Sequence, residues 1–159
     1  MTIQNKVPYG VKYWFNDICR LWGTIKDDKG RKVESYLLEK VPDSVTKVPC
    51  AISYLMGDID VNESLGGPSM VTYHGKTDFH LTLSLVRSGL PYVMSFTDKI
   101  IQAAASALTL KGKVVSFRLD QPGSIRLVLL TWGDEIEHYG IEVPWVVQEN
   151  QSGKYTVSV

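Results

Sequence analysis

Residues 69–87 alternate between apolar and polar side chains, and this pattern constrains the fold more than any other feature of the chain. The apolar positions are Val71, Tyr73, Phe79, Leu81, Leu83 and Leu85. Because successive side chains of a strand point to opposite faces, the pattern predicts one long strand with a core face and a face toward solvent or a partner. Gly75 is predicted to form a bulge or bend that divides this strand.

Two further segments have the apolar spacing of helices. In residues 11–26, apolar side chains recur every three or four positions, at Val11, Trp14, Phe15, Ile18, Leu21, Trp22 and Ile25. This stripe predicts an amphipathic helix. Residues 96–110 are rich in isoleucine, leucine and alanine, which predicts a second helix that is covered on much of its surface. Ser95 is predicted to be its N-cap.

The remaining regular segments are predicted to be strands. Residues 50–55 are apolar on both faces, which is typical of a central strand. Residues 114–119, 125–132 and 139–148 read as strands, with turns predicted at 120–123 and 133–134. Pro144 predicts that the last of these lies at an edge or contains a bulge, because proline removes a ladder donor.

Two segments leave the prediction open. Residues 31–47 fit a short helix or a strand, and Pro42 breaks whatever precedes it. Residues 155–159 alternate, and this stretch could pair with the sheet edge of a partner chain.

These elements predict one α+β domain, a mostly antiparallel sheet packed against two helices. The core fold is assigned to residues 10–149 of the 159, with a polar C-terminal tail at 150–159. The length suits a single domain. The chain has no apolar run of 18 residues, so we expect no membrane span. The first residues lack the apolar core of a signal peptide, so we expect synthesis in a cytoplasm.

The charge and the motifs indicate no enzyme and no cofactor. The 17 basic and 17 acidic residues balance, which argues against a dedicated nucleic-acid binder. No phosphate loop, dinucleotide fingerprint or nucleophile elbow is present. Cys19 and Cys50 have no cysteine spacing typical of a metal site, and both are predicted to be reduced and buried.

Two clusters of polar residues have a catalytic or metal-binding interpretation beside an ordinary one. His74, Asp78 and His80 can share one strand face, as a metal or acid–base site would require. The polar side of an alternating strand explains them equally, and we favour that. Asp58 and Asp60 alternate with Ile59 and Val61, so this stretch could be a strand end. The two aspartates could act as paired carboxylates, but we favour a solvated loop. We therefore predict no catalytic and no metal-binding residues.

Contacts with neighbouring subunits are predicted for the segments 57–68 and 120–124, because both are exposed or long and lie at strand ends. Tryptophans at strand ends can serve a subunit contact through their amphipathic rings. The candidate contact residues are Asp58, Asp60, Asn62, Glu63, Gln121, Ser124, Trp132 and Trp145.

The order of elements resembles that of the tail-terminator proteins of long-tailed bacteriophages and, more broadly, their tail-completion and neck proteins. The stretches that carry the resemblance are VPCAISYL at 48–55, FHLTLSLVR at 79–87, the helix at 96–110 and YGIEVPWVVQE at 139–149. The resemblance covers residues 10–149. The segments 31–47 and 150–159 depart from the short family pattern.

The resemblance implies a virion protein of the phage neck that forms a ring, commonly a hexamer. Such a ring caps the tail tube and joins it to the head connector, with genomic DNA passing through the lumen. Its implied partners are further copies of itself, the tail tube protein and the connector or stopper proteins. An adaptor, a stopper or a tail-tube protein is the nearest alternative. A small-ligand-binding domain with a pocket between helix and sheet, and a hydrolase using His74, Asp78 or His80, are the others.

Overall fold

The computed structural model describes residues 2–5, 11–37, 48–62, 70–82, 90–120, 125–132, 136–150 and 155–158. Within these residues the chain is mixed α+β, with three helices and eight strands. The helices are α1 (Val11–Trp22), α2 (Leu90–Met94) and α3 (Phe96–Ala105). The strands are β1 (Thr2–Asn5), β2 (Glu34–Leu37), β3 (Cys50–Asn62), β4 (Met70–His80), β5 (Ser116–Leu119), β6 (Arg126–Trp132), β7 (Ile136–Asn150) and β8 (Tyr155–Ser158).

The main sheet has the order β2-β3-β4-β7-β5, and β6 also pairs with β7. β2 and β3 are parallel, and the other pairs of this sheet are antiparallel. β5 and β6 follow one another along the same side of β7, which has β4 on its other side. The predicted α+β class with a mostly antiparallel sheet is therefore confirmed, and the predicted strands at 125–132 and 139–148 pair with each other as β6 and β7.

The helices cover one face of this sheet, called here the helix-covered face. Trp14, Ile18 and Trp22 of α1 are completely buried, as the apolar stripe predicts. The Trp22 ring packs edge-on against Phe79 of β4, with ring centroids 5.4 Å apart. α3 contributes Ile100 to the same core cluster. The opposite side of the sheet is called here the second face.

Both predicted helices end earlier than expected. Ser95 occupies the N-cap position of α3, as predicted, but its side chain makes no capping hydrogen bond. α1 ends at Trp22, and α3 ends at Ala105. Ser95 has helical backbone angles, and its hydroxyl donates to the Tyr92 carbonyl at 2.6 Å without capping α3. The reason is that α2 runs directly into α3, so Ser95 lies between two helices rather than before one.

Gly75 does not divide β4, which continues through it as one strand from Met70 to His80. The indole ring of Trp145 lies against the Gly75 backbone, and a Cβ at this position would overlap the ring. Trp145 itself is fully buried. The bend prediction for Gly75 and the subunit-contact prediction for Trp145 are therefore both wrong, and for the same reason: the glycine makes room for a core tryptophan.

Pro144 lies in a central strand, although proline predicted an edge strand or a bulge. β5 ends opposite Trp145 and β6 begins opposite Glu142, so Pro144 faces the gap between them. The Asp120 amide donates to the Pro144 carbonyl at 3.0 Å across this gap. Because the amide and carbonyl of a residue in an antiparallel pair point toward the same neighbour, the missing donor falls where the neighbouring strand is interrupted.

β3 contains the irregularity that was predicted for β4. Its pairing with β4 shifts register between Leu55 and Ile59, and Gly57 there has a φ of +78°. The strand then continues to Asn62. The solvated-loop interpretation of Asp58 and Asp60 is therefore wrong, since both belong to a strand.

The structure describes parts of the two segments, 31–47 and 155–159, whose secondary structure or pairing the sequence left open. Residues Glu34–Leu37 form β2, whereas 38–47 lie outside the described residues. β8 pairs with β1 of the same chain, in the register Thr2 opposite Ser158. The pairing predicted for this tail with a partner chain is replaced by a pairing within the chain.

Candidate interaction surface

One edge of the sheet is formed by the outer arm of β3, defined here as residues 56–62. β2 pairs with β3 only between Cys50 and Ser53, so this arm has a strand partner on one side alone among the described residues. Ile59 and Val61 lie opposite Tyr73 and Val71, which are buried in the core. Ile59 and Val61 are nevertheless 56% and 55% exposed. The apolar face of the sheet therefore extends past the area that the helices cover.

The opposite edge of the sheet, formed by β6, repeats this arrangement. Among the described strands, β6 pairs only with β7. Leu127 lies opposite Ile141, which is fully buried, yet Leu127 is 49% exposed. Leu129 is 53% exposed. Since Ile141 belongs to the helix-covered face, both apolar overhangs lie on the same face of the sheet, at its two edges.

The second face carries opposite charges near these two edges. Asp58 and Asp60 are exposed on the outer arm, and Arg118 and Arg126 are exposed on β5 and β6. The Asp60 carboxylate lies 3.3 Å from the His74 ring. Arg126 donates to Glu142 at 2.8 Å. One edge of the second face is thus acidic, and the other is basic.

Between the two edges lies an open depression of about 460 Å³ on the second face. Its floor contains ion pairs: Lys76 Nζ lies 2.6 Å from Glu142 Oε2 and 3.8 Å from Asp78 Oδ1. Tyr54 donates to Asp78 at 2.9 Å. Burial opposes the ionisation of Glu142, but hydrogen bonds from Lys76 and Arg126 outweigh burial and lower its pKa. Glu142 is therefore engaged with two cations, whereas at Asp78 burial outweighs the neighbouring Lys76 and raises the pKa.

The three residues predicted to share one strand face do so, but they do not converge. Their side chains take different partners: His74 pairs with Asp60, Asp78 with Tyr54, and His80 with His138. Within the described ranges, no group of three or more histidine, cysteine, aspartate or glutamate side chains has the arrangement of a metal site.

A buried histidine pair was missed by sequence reasoning. His80 Nδ1 and His138 Nε2 are 2.6 Å apart, and both rings are buried. Burial, and secondly the neighbouring ring, lower the pKa of His80 to about 3. The two residues are 58 positions apart, so local spacing gives no signal for the pair.

The candidate contact residues fall into three groups. Asp58, Asp60 and Asn62 lie on the outer arm, and Trp132 is the last residue of β6, so four of the eight belong to the two edges. Trp145 is in the core. Glu63, Gln121 and Ser124 lie outside the described residues.

The exposed apolar residues of the two edges were not among the predicted contact residues. Ile59, Val61, Leu127 and Leu129 carry a signal, because all four are apolar residues at alternate positions of strands. Alternation alone predicts a core face for them. Only the structure shows that the helices stop short of both edges.

A smaller depression of about 230 Å³ lies between α1 and the turns that follow α3. Its lining residues are Asp17, Arg20, Leu21, Thr24, Ser106, Ala107, Leu110 and Lys111. Asp17 in its wall forms ion pairs with Arg20 and Lys113. The sequence-based alternative of a ligand pocket between helix 96–110 and the sheet differs in place, since this depression lies between α1 and the turns after α3.

No protein-family model matches this chain, and a search of curated proteins found no match either. None of the helices in the described part of the chain combines the length and the hydropathy needed to cross a bilayer. Function is therefore inferred from the two sheet edges and from the resemblance in the order of elements.

Proposed function

We propose that this chain is a structural subunit that self-associates into a ring at the neck of a bacteriophage tail, in the manner of a tail terminator. The observation that carries the proposal is the pair of apolar overhangs, Ile59 with Val61 and Leu127 with Leu129, at opposite edges of one sheet face. Two different patches on opposite sides of a subunit favour a head-to-tail contact, which closes into a ring when the rotation between copies permits.

The exposure of these edges itself supports self-association. A sheet edge presents unpaired backbone groups, and natural proteins commonly protect it with charges, prolines or a covering element. Both edges carry exposed charges, Asp60 on one and Arg126 on the other, but in the described part of the chain each also carries two half-exposed aliphatic residues. Apolar surface of this kind is stabilised when another subunit covers it, at roughly 25 cal/mol for each Å² removed from water.

The resemblance supplies the place of the ring in the virion. A hexameric ring would cap the last ring of the tail tube and present its opposite face to the head connector or stopper, with DNA passing through the lumen without sequence recognition. The mechanism is geometric. One face of the ring offers the contacts of a tube subunit, whereas the other lacks the surface for further growth.

Substitution of one residue at each edge tests the proposal. Ile59→Lys and Leu129→Lys place a charge in the proposed contact, and each should weaken self-association about tenfold or more. Ile101→Lys is the matched control, because Ile101 is 45% exposed but lies on α3 and not on either sheet edge. Sedimentation velocity over a concentration series measures the effect. Equal loss of assembly in the control and in the edge variants would contradict the proposal.

A further inference from the structure

We infer that the contact between copies is a strand pairing, in which β6 of one copy adds antiparallel to the outer arm of β3 in the next. This inference rests on the proposed function. It identifies the partner as a second copy of the same chain, which presents its outer arm of β3 to β6 of the first copy. Three independent features of the described strands support it: their direction, the faces of their side chains, and the charge at each edge.

The strand directions are compatible with this pairing. β3 is antiparallel to β4, β4 to β7, and β7 to β6, so β3 and β6 run in opposite directions within one copy. A neighbouring copy that continues the sheet therefore presents its outer arm antiparallel to β6. Antiparallel pairing at an exposed edge is the geometry of β-strand addition, in which backbone hydrogen bonds supply affinity and side chains supply register.

The side chains favour one register. With Arg126 opposite Asp60, an antiparallel pairing also places Leu127 opposite Ile59. Leu127 and Ile59 then meet on the helix-covered face, and Arg126 and Asp60 meet on the second face. A shift of the register by one residue would place Leu127 opposite Asp60, an apolar side chain beside a charged one. The alternation along the two strands therefore excludes this shift.

β6 is favoured over β5 as the pairing edge. β5 lies on the same side of β7, but its outer side is occupied within the chain, since the Phe117 amide donates to the Leu108 carbonyl at 2.7 Å. Phe117 is also fully buried. β6 has no corresponding backbone bond to another element among the described residues.

Measured along the strands, the outer arm of β3 and β6 are displaced from each other by a distance that is compatible with a closed ring. Ile59 aligns across β4 with Val147 of β7, whereas Leu127 aligns with Ile141. These positions on β7 differ by six residues, or about 20 Å along the strand at roughly 3.3 Å per residue. Four strands across one copy span about 19 Å at roughly 4.8 Å each. The two lengths give a strand tilt of about 45°, which is typical of strands in closed barrels.

Charge reversal tests the pairing. Asp60→Arg and Arg126→Asp should each weaken self-association about tenfold or more, because each places like charges together in the contact. The double variant exchanges the charges and should return assembly to within about threefold of the parent. Asp98→Arg is the control, since Asp98 is exposed on α3 away from both edges. Thermal unfolding of each variant shows whether the fold is retained.

Disulfide trapping tests the same pairing without relying on charge. In a Cys19→Ser background, an Ile59→Cys protein and a Leu127→Cys protein should form a covalent dimer when mixed under oxidising conditions, and neither should cross-link alone. Cys50 is buried, and burial raises its pKa to about 12, so it does not compete.

The outcomes separate the inference from the proposed function. A mixed dimer together with rescue by the double charge variant supports the strand pairing. A parent protein that assembles, but neither cross-links nor responds to charge reversal, overturns the pairing and leaves the ring proposal standing. A parent protein that does not assemble overturns the ring proposal first.

Discussion

His80 and His138 form a buried hydrogen-bonded pair, with His80 Nδ1 2.6 Å from His138 Nε2. One ring must donate the proton and the other must accept it, so the pair cannot hold both rings fully protonated without losing this bond. β4 ends at His80, and His138 lies in the part of β7 that pairs with β6. The pair therefore joins the end of β4 to β7 near the turn end of the hairpin that carries the β6 edge.

The first prediction is that acid destabilises the fold through His80. Its pKa is about 3 in the folded chain, against about 6.5 when unfolded, so the unfolded state binds the proton first. The contribution of neutral His80 to the free energy of unfolding is complete above about pH 6.5. It is lost as the pH falls toward 3, by about 1.4 kcal/mol per pH unit. Urea unfolding at several pH values should show this slope. His80→Gln should flatten it and His74→Gln should not; equal slopes in all three proteins would contradict the assignment.

The second prediction concerns the contact between Gly75 and Trp145. Gly75→Ala should lower the free energy of unfolding by about 1–3 kcal/mol, because the new methyl group overlaps the indole ring. Gly23→Ala is the control, since a Cβ there meets no atom closer than 3.4 Å. Combining Gly75→Ala with Trp145→Phe should cost less than the sum of the two changes. Additive costs would mean that the ring does not constrain position 75.

The fold was predictable where the signal was local, and less so where it depended on coverage by other elements. The α1 stripe and the alternation in β4 are local patterns, and both gave the correct element and buried face. Trp145 and Leu127 both occupy apolar strand positions in the sequence, yet one is buried and the other half-exposed. The difference depends on where the helices end over the sheet. Alternation along one strand carries no information on that point.

At two positions, the type of the residue alone gave a wrong prediction of the structure around it. Pro144 predicted an edge or a bulge, but its missing donor coincides with the interruption between β5 and β6. Asp60 was placed in a loop by the favoured interpretation of the sequence, but it lies in the outer arm of β3. Its alternation with Ile59 and Val61 permitted a strand, and the pairing of these residues with β4 shows that a strand forms.

The third prediction concerns the hydrogen bond that joins the turn after α1 to α2. Tyr92 donates to Asp27 at 3.0 Å, and Asp27 also accepts from the Arg31 side chain. Tyr92→Phe should lower the free energy of unfolding by about 1.5–3 kcal/mol, the usual net contribution of a hydrogen bond to a charged group. The same change in an Asp27→Asn background should cost less. An unchanged cost would show that the Tyr92 hydroxyl acts through another partner.

The fourth prediction concerns salt. If opposite charges at the two edges face each other, assembly should weaken as sodium chloride is raised, because exposed charge pairs are screened. An Asp60→Asn protein, which has lost one of these charges, should respond less. Sedimentation at several salt concentrations measures both. Assembly that strengthens with salt in the parent would indicate a contact dominated by apolar burial without the charge pairing.

The most direct test of the central claim is the stoichiometry of the purified particle by native mass spectrometry. A head-to-tail contact that closes on itself predicts one ring species, and the resemblance to tail terminators predicts a mass six times the 17.8 kDa chain. A monomer at the highest soluble concentration, or a twofold symmetric dimer that uses the same edge on both copies, would contradict the account.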